Sequence, residues 1–453
     1  MDAYSLQLKP THPWHDVFLK SRFFLFWGLV AILFIAAYFL PILLIAAKAF
    51  ALFAAGLTLL DYGLLFFVPK KVYIRRVLNE HLSNGDVNPV QLRLSNLFPI
   101  PLDLEIIDEL PDQFQKRDFL IHKDMPAQSK TVLKYQLRPT QRGEYTFGDI
   151  HVFASTRIGL VCKRFTAMQE QTVKVYPSFV QLKKYALQAI PNLNKTSGNR
   201  ILYRRGFSTE FDHIKEYNRG DDSRMINWKA SARRNQLMVN SFMDEKSQQI
   251  YCLIDKGRLM KMPFDDLTLL DYAINAVLMF SYVAIQKNDK VGLLTFNEKV
   301  NDHLSASKSK KHFNTFLETL YKQQTQYLES DLEALYKYVN KKMVHRGLMM
   351  LFTNFETWSG FERQLPYFRA LNQKHLLCIV FFENTEINKI HENRGDDIED
   401  IYIKTIADKF LYEKKKIVAE LRKIGILTIF SEPKKLTVQV VNKYLELKSK
   451  QII

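Results

Sequence analysis

Three cysteines in 453 residues, Cys162, Cys252 and Cys378, are too few and too scattered for a disulfide framework. None sits in a Cys-x-x-Cys pair or beside a histidine at metal spacing, so no zinc site is signalled either. Cys252 and Cys378 fall inside apolar runs, where cysteine behaves as a small hydrophobe, a usage that suits a reducing compartment. Glycine and proline are also scarce, at 16 and 15, which together with 47% hydrophobic residues excludes a low-complexity or disordered chain. Chemistry-bearing motifs are missing as well. There is no Gly-x-x-x-x-Gly-Lys-Ser/Thr, no Gly-x-Gly-x-x-Gly after a strand, no Gly-x-Ser-x-Gly and no His-Glu-x-x-His. Histidines are scattered singly and the aromatic signature of RNA-recognition domains is absent. No catalytic residue, cofactor or enzymatic activity is therefore expected.

What is present begins with charge. The formal net charge is +17, and nearly all of it lies beyond residue 69. Such an excess favours anionic lipid headgroups, acidic proteins or nucleic acid without choosing among them. The bases are spread along the chain rather than gathered in a stripe, so no nucleic-acid partner is expected.

From Phe23 to Val68 the sequence is almost unbroken hydrophobe. Phe23 to Leu40 is about 18 residues, or about 27 Å of helix, close to the hydrocarbon thickness. Pro41 breaks the run, and a second span is expected from near Ala49 to Val68, with Lys48 at its outer end. Lys20 and Arg22 precede the first span, and Lys70, Lys71, Arg75 and Arg76 follow the second. The positive-inside rule places both ends in the cytoplasm, anchored in the inner (cytoplasmic) membrane with the bulk of the chain cytoplasmic. Asp61 falls within the second span, where it is either a functional acid or one near enough the surface to reach water or a base such as Arg22.

Between Val72 and Tyr176 short alternating runs (90–94, 102–107, 131–137, 145–153) are separated by turn residues such as Asn84-Gly85 and Arg142-Gly143. This is the pattern of a β-sandwich-like domain, placed at 70–177. Residues 178–245 read as a charged connector. From 246 to 453 apolar strands (250–254, 291–296, 348–352, 376–382, 426–430) alternate with amphipathic helices, the first capped by Asp265 or Asp266. That alternation predicts an α/β doubly wound sheet.

The most distinctive stretch runs from Gly206 to Arg234. Phe211, Ile214 and Tyr217 space like one face of an amphipathic segment, and Gly220 with Asp221 and Asp222 makes a turn and a cap. Arg224, Lys229, Arg233 and Arg234 then cluster about Trp228, near the carboxylates of Glu210, Asp221 and Asp222. Such a group serves either as an internal latch of paired charges or as a docking surface, since Trp, Tyr and Arg dominate interface hot spots.

This stretch, ending Trp228-Lys229-Ala230-Ser231-Ala232-Arg233, resembles the signature of the bacterial family called domain of unknown function 58. Thr156-Arg157-Ile158-Gly159-Leu160 likewise resembles that family's β-region, where Asp-Pro-Phe-Gly-Leu is usual. The resemblance implies two N-terminal transmembrane helices, a β-rich region and a von Willebrand A-like domain. It also implies an adaptor working with MoxR-type AAA+ ATPases in assembly, maturation or stress tolerance. Von Willebrand A domains often hold a divalent ion through Asp-x-Ser-x-Ser, a Thr in a later loop and an Asp after the fourth strand. Here Asp255 matches, but Gly257 and Leu259 replace both serines, and Asn354 stands where the later Asp is expected. The resemblance thus implies a degenerate site with too few oxygen ligands for a hard cation. Two alternatives to an adaptor stand beside it: a membrane-bound envelope-processing hydrolase with dispersed residues, and a nucleic-acid binder using the basic charge.

Overall fold

The computed structural model describes residues 16–69, 71–178, 210–218, 221–243, 248–325, 327–387, 398–450 and 452–453. The chain divides after Ser178 into two compact units.

The apolar run of the first unit folds into two helices, α1 (Ser21–Phe39) and α2 (Leu43–Phe66), with Pro41 in the turn between them. Both are long and apolar enough to cross a membrane, and only 11% of each apolar window is buried against protein. Helix α2 begins earlier than the expected Ala49, because a proline ahead of a first turn costs no helical hydrogen bond. Lys48 therefore lies within α2 rather than at its outer end.

Among the described residues the rest of this unit holds eleven short strands. They are β1 (Val17–Leu19), β2 (Val72–Val77), β3 (His81–Ser83), β4 (Asn88–Asn96), β5 (Leu102–Asp108), β6 (Leu120–Met125), β7 (Lys130–Leu137), β8 (Gly143–Phe147), β9 (Ile150–Ser155), β10 (Val161–Ala167) and β11 (Gln171–Tyr176). They pair as β1-β10-β9-β5-β6, β2-β4-β7 and β3-β11-β8, the layers expected of a sandwich. The run 145–153, read as one strand, is two, because the chain turns at Gly148-Asp149. Strand β1 enters one sheet directly before α1, and β2 enters another directly after α2. Both ends of the hairpin are thus built into the same sandwich and lie on one side of any bilayer the hairpin crosses.

Asp61 fixes that junction. It is fully buried. Its carboxylate accepts hydrogen bonds from the Thr156 hydroxyl and from the backbone N–H groups of Leu160 and Val161, both at 2.9 Å. One turn further on, Lys163 donates to the Leu65 carbonyl at 3.1 Å, a cation on the carbonyl end of the helix. Leu65 itself packs into the sandwich core with Ile74, Leu104 and Phe165. The expectation that Asp61 reaches water or Arg22 is corrected here: the last turns of α2 run into protein, and Arg22 instead donates to the carbonyls of Arg157 and Ile158. Arg76, one of the basic residues that follow the second helix, is buried in a pair with Asp108.

In the second unit an antiparallel ribbon, β12 (Glu210–Glu216) and β13 (Met238–Met243), frames a short helix α3 (Trp228–Arg234). The strands β14 (Gln249–Asp255), a minor hairpin of β15 (Pro263–Phe264) and β16 (Leu267–Thr268), then β17 (Lys290–Phe296), β18 (Val300–Ser307), β19 (Leu348–Phe352), β20 (Leu376–Phe382) and β21 (Leu427–Ser431) follow. The main sheet has the order β18-β17-β14-β19-β20-β21 and is parallel except for the edge strand β18. The helices are α4 (Leu269–Gln286), α5 (Lys310–Tyr321), α6 (Leu332–Lys342), α7 (Trp358–Lys374), α8 (Ile398–Lys423) and α9 (Leu436–Ser449). One face of the sheet packs Ile254, Met350 and Val380 under α4, α5 and α9, and the other packs Leu253, Leu351 and Phe381 under α6, α7 and α8. This is the doubly wound layering expected. Helix α4 is capped by Thr268 in a capping box with Asp271, not by Asp265 or Asp266, which occupy a left-handed turn.

Asp61→Ala strands two buried amides and a hydroxyl, each costing about 1–3 kcal/mol when unpaired. Thermal unfolding of the detergent-solubilised chain is expected to show a clear loss of stability for Asp61→Ala and a smaller one for Thr156→Val, which removes one donor. Melting of Asp61→Ala at the wild-type temperature would contradict the junction's role.

Candidate functional site

Two neighbourhoods of the second unit collect the residues singled out in the sequence. The first is the signature stretch. Asn227 caps α3 by accepting from the Ala230 N–H at 3.0 Å, and its amide donates to Asn240 on β13 at 2.9 Å. Ser231 is buried, donates to the Asn227 carbonyl and accepts from the Met238 N–H at 2.9 Å. These two residues clamp α3 onto the ribbon, and sequence reasoning missed both. An asparagine before a helical run was the available signal for the cap.

With the inner face fixed by Asn227 and Ser231, the other side chains of α3 point outward. Trp228 is 71% exposed, and Arg224, Lys229, Arg233 and Arg234 are exposed too. Among the described residues none of these cations forms an ion pair; Asp221 pairs with Lys215 at 3.0 Å, on the same strand-and-turn unit. Tyr217 is half-buried and its N–H donates to the Leu237 carbonyl. Phe211 and Ile214 lie on a strand. Nothing is described of the Glu210 side chain, and Gly220 lies outside the described residues. A cleft of about 270 Å³ sits beside α3, lined by Ile214, Asn227, Lys229, Arg233, Arg234 and Met238.

The second neighbourhood lies at the carboxyl ends of β14 and β19, the crevice where open α/β sheets usually take ligands. Asp255 is buried and accepts from the Gly257 N–H at 2.7 Å, from the Thr353 hydroxyl at 2.6 Å and from the Ser330 hydroxyl. Burial pushes its carboxyl above the usual range, and the two hydroxyls and the amide oppose that shift. The hydroxyl missing at position 257 is therefore supplied by Ser330 from the segment before α6. A side chain at Gly257 would meet the Ser330 hydroxyl at 2.0 Å, so the glycine and the remote serine go together. Leu259 lies in the 3-10 turn that follows.

Asn354 is also buried and accepts from the Lys414 ammonium at 2.8 Å, which donates in addition to the Phe382 carbonyl at 3.2 Å. Burial lowers the Lys414 pKa to about 8, with Glu356 acting the other way. A divalent ion fits this set poorly, since the Asp255 carboxylate already accepts from three protein donors and a lysine ammonium sits at Asn354. Among the described residues no group of three His, Cys, Asp or Glu side chains is placed to hold a metal.

The segment 213–388, which holds α3 and the carboxyl ends of β14 and β19 but not Lys414, matches the family described as "Protein of unknown function DUF58". The resemblance to that family is shown over this segment. A second match is to "Uncharacterized protein YeaD" of Bacillus subtilis (strain 168), 28% identical over 218 residues, 45% of this chain. The match spans about half, 53%, of that relative's length. Among solved structures, the conserved hypothetical protein BatB from Bacteroides thetaiotaomicron aligns over 43% of this chain and 98% of its own, at 12% identity and a TM-score of 0.28. The CARDB domain of the PF1109 protein from Pyrococcus furiosus aligns over 22% of this chain and 92% of its own, at 12% identity and a TM-score of 0.16.

Two outcomes follow from the buried groups. Adding magnesium or EDTA is expected to leave the melting temperature unchanged, whereas a rise with magnesium would show that an ion displaces the hydroxyls on Asp255. Lys414 holds its proton less tightly folded than unfolded, where the usual value is 10.5. The unfolded chain thus binds more protons between about pH 8 and 10.5, and stability from this group rises with pH over that window. Lys414→Met is expected to abolish that rise in a pH series of melting curves, and identical slopes for the two proteins would contradict it.

Proposed function

We propose that this chain is a membrane-anchored adaptor or scaffold without chemistry of its own, docking a protein partner through its α/β unit. Helices α1 and α2 tether it in the inner (cytoplasmic) membrane with the bulk of the chain cytoplasmic. The shared sandwich at the base of the hairpin and the basic residues flanking it support that topology. The α/β unit is read as von Willebrand A-like. Its support is a parallel sheet with one antiparallel edge strand and an aspartate at the carboxyl end of its first strand.

The observation that carries the docking reading is the outward face of α3. Trp228, Lys229 and Arg233 are exposed there, Arg224 is exposed on the turn before the helix, and these cations form no ion pair among the described residues. An indole amid uncommitted guanidinium groups is the composition of an interface hot spot, and its charge suits an acidic partner. The partner proposed is an AAA+ ATPase of MoxR type, acting with this chain in assembly, maturation or stress tolerance.

The test uses the detergent-solubilised full chain as bait, with Trp228→Ala/Arg233→Glu as the comparison. Loss of a hot-spot pair costs about 2 kcal/mol or more, hence roughly thirtyfold in affinity. Recovery of an AAA+ ATPase by the wild type, undiminished by EDTA and lost with the double variant, is expected. Equal recovery by both proteins, or no ATPase with either, would overturn the reading.

A further inference from the structure

At the start of α1 the first unit contains a cavity of about 670 Å³, lined among others by Lys20, Arg22, Asp103, Asp124, Arg157 and Gly159. Its place is unusual. Arg22 lies in the first turn of α1, and the uncovered apolar surface of that helix begins two residues later at Phe24, 62% exposed. If α1 enters a bilayer, the cavity wall is at the level of the lipid headgroups. The inference therefore rests on the anchoring part of the function proposed above.

The polar groups are of both signs and are partly uncommitted. Asp103 on β5 and Asp124 on β6 are direct cross-strand partners. Like charges in that position repel and destabilise the pair unless a cation relieves them. Lys20 turns toward one side of the pair, 3.4 Å from Asp103 and 3.0 Å from Glu105. Asp124 is exposed and has no ion pair among the described residues. On the other side of the cavity, one nitrogen of the Arg22 guanidinium is held by the carbonyls of Arg157 and Ile158, each at 3.3 Å. Gly159 permits this approach: its φ is +71° and a Cβ there would come within 3.2 Å of the guanidinium. The same loop places the exposed Arg157 beside Arg22, two guanidinium groups in one wall. A purely anionic ligand would meet Asp103 and Asp124, and a purely cationic one would meet the arginines.

We propose that this cavity binds the headgroup of a phospholipid carrying both a phosphate and a primary ammonium, the phosphate on Arg22 and Arg157 and the ammonium between Asp124 and Asp103. A primary ammonium can donate hydrogen bonds to both carboxylates, which a quaternary choline cannot. The site thus distinguishes phosphatidylethanolamine from phosphatidylcholine as well as from anionic phosphatidylglycerol. It also gives a use to the Thr156–Leu160 loop beyond its hold on Asp61.

The test reconstitutes the full-length protein in bilayers of equal parts dioleoyl phosphatidylethanolamine, phosphatidylcholine and phosphatidylglycerol. Lipids retained after extraction are then counted by native mass spectrometry. Retention of phosphatidylethanolamine on the order of tenfold over the other two is expected from charge-assisted hydrogen bonds. Arg157→Gln and Asp124→Asn should each remove the preference; both side chains are exposed and unpaired among the described residues, so the fold should tolerate either change. Asp124→Asn should also raise the melting temperature in phosphatidylcholine alone, because it relieves the cross-strand repulsion. Equal retention of the three lipids by an inserted protein, or a preference that survives both variants, would overturn the site alone. A protein that never enters the bilayer would overturn the anchoring reading with it.

Discussion

A buried carboxylate in the last turns of a long apolar helix has to be satisfied by something other than water, and in this protein the sandwich does it. Asp61 takes two backbone amides and a hydroxyl from the Thr156–Val161 segment, while Lys163 holds the Leu65 carbonyl near the end of the same helix. Leaving any of these groups unpaired in a buried setting costs more than forming them gains, so the helix end and the loop specify each other. With β1 and β2 entering different sheets, this contact makes the hairpin continuous with the sandwich rather than a flexible tether. The cavity and the strands of this unit are thereby held in a fixed place relative to the two helices.

The same device recurs in the α/β unit. Asp255, at the end of the first strand of the main sheet, is satisfied by Ser330, Thr353 and the Gly257 amide, and Asn354 by Lys414. At the carboxyl ends of β14 and β19 the buried polar side chains are thus already engaged by the protein's own hydroxyls and one ammonium. The docking proposal rests instead on the outward face of α3, with its exposed indole and cations. Asn227 and Ser231 hold α3 rigidly, which lowers the ordering cost of any complex formed through Trp228 and the arginines.

Much of the scaffold was legible in the sequence because its elements are periodic. The runs 348–352 and 376–382 are continuous apolar stretches of central parallel strands, and they coincide with β19 and β20. Strand β18 escaped notice because an edge strand, Val300–Ser307, carries polar residues on both faces. The cap of α4 was misplaced because Asp265 and Asp266 look like caps, yet they form the turn before Thr268. Partners of buried acids were not legible at all. Thr156 lies 95 residues from Asp61, and Ser330 lies 75 from Asp255, so no local pattern links them. The exposure of Trp228 was not legible either, because it depends on Asn227 and Ser231, whose role needs the β13 register to be seen.

The claim that the hairpin and the sandwich form one body is tested most directly by hydrogen exchange at the Leu160 and Val161 amides in the full-length protein. If Asp61 accepts from both, they exchange as slowly as the central amides of β9 and β10 and open only with the whole unit. Fast exchange at these two positions, with the neighbouring strands still protected, would contradict the account and leave the helices joined to the sandwich by chain connectivity alone.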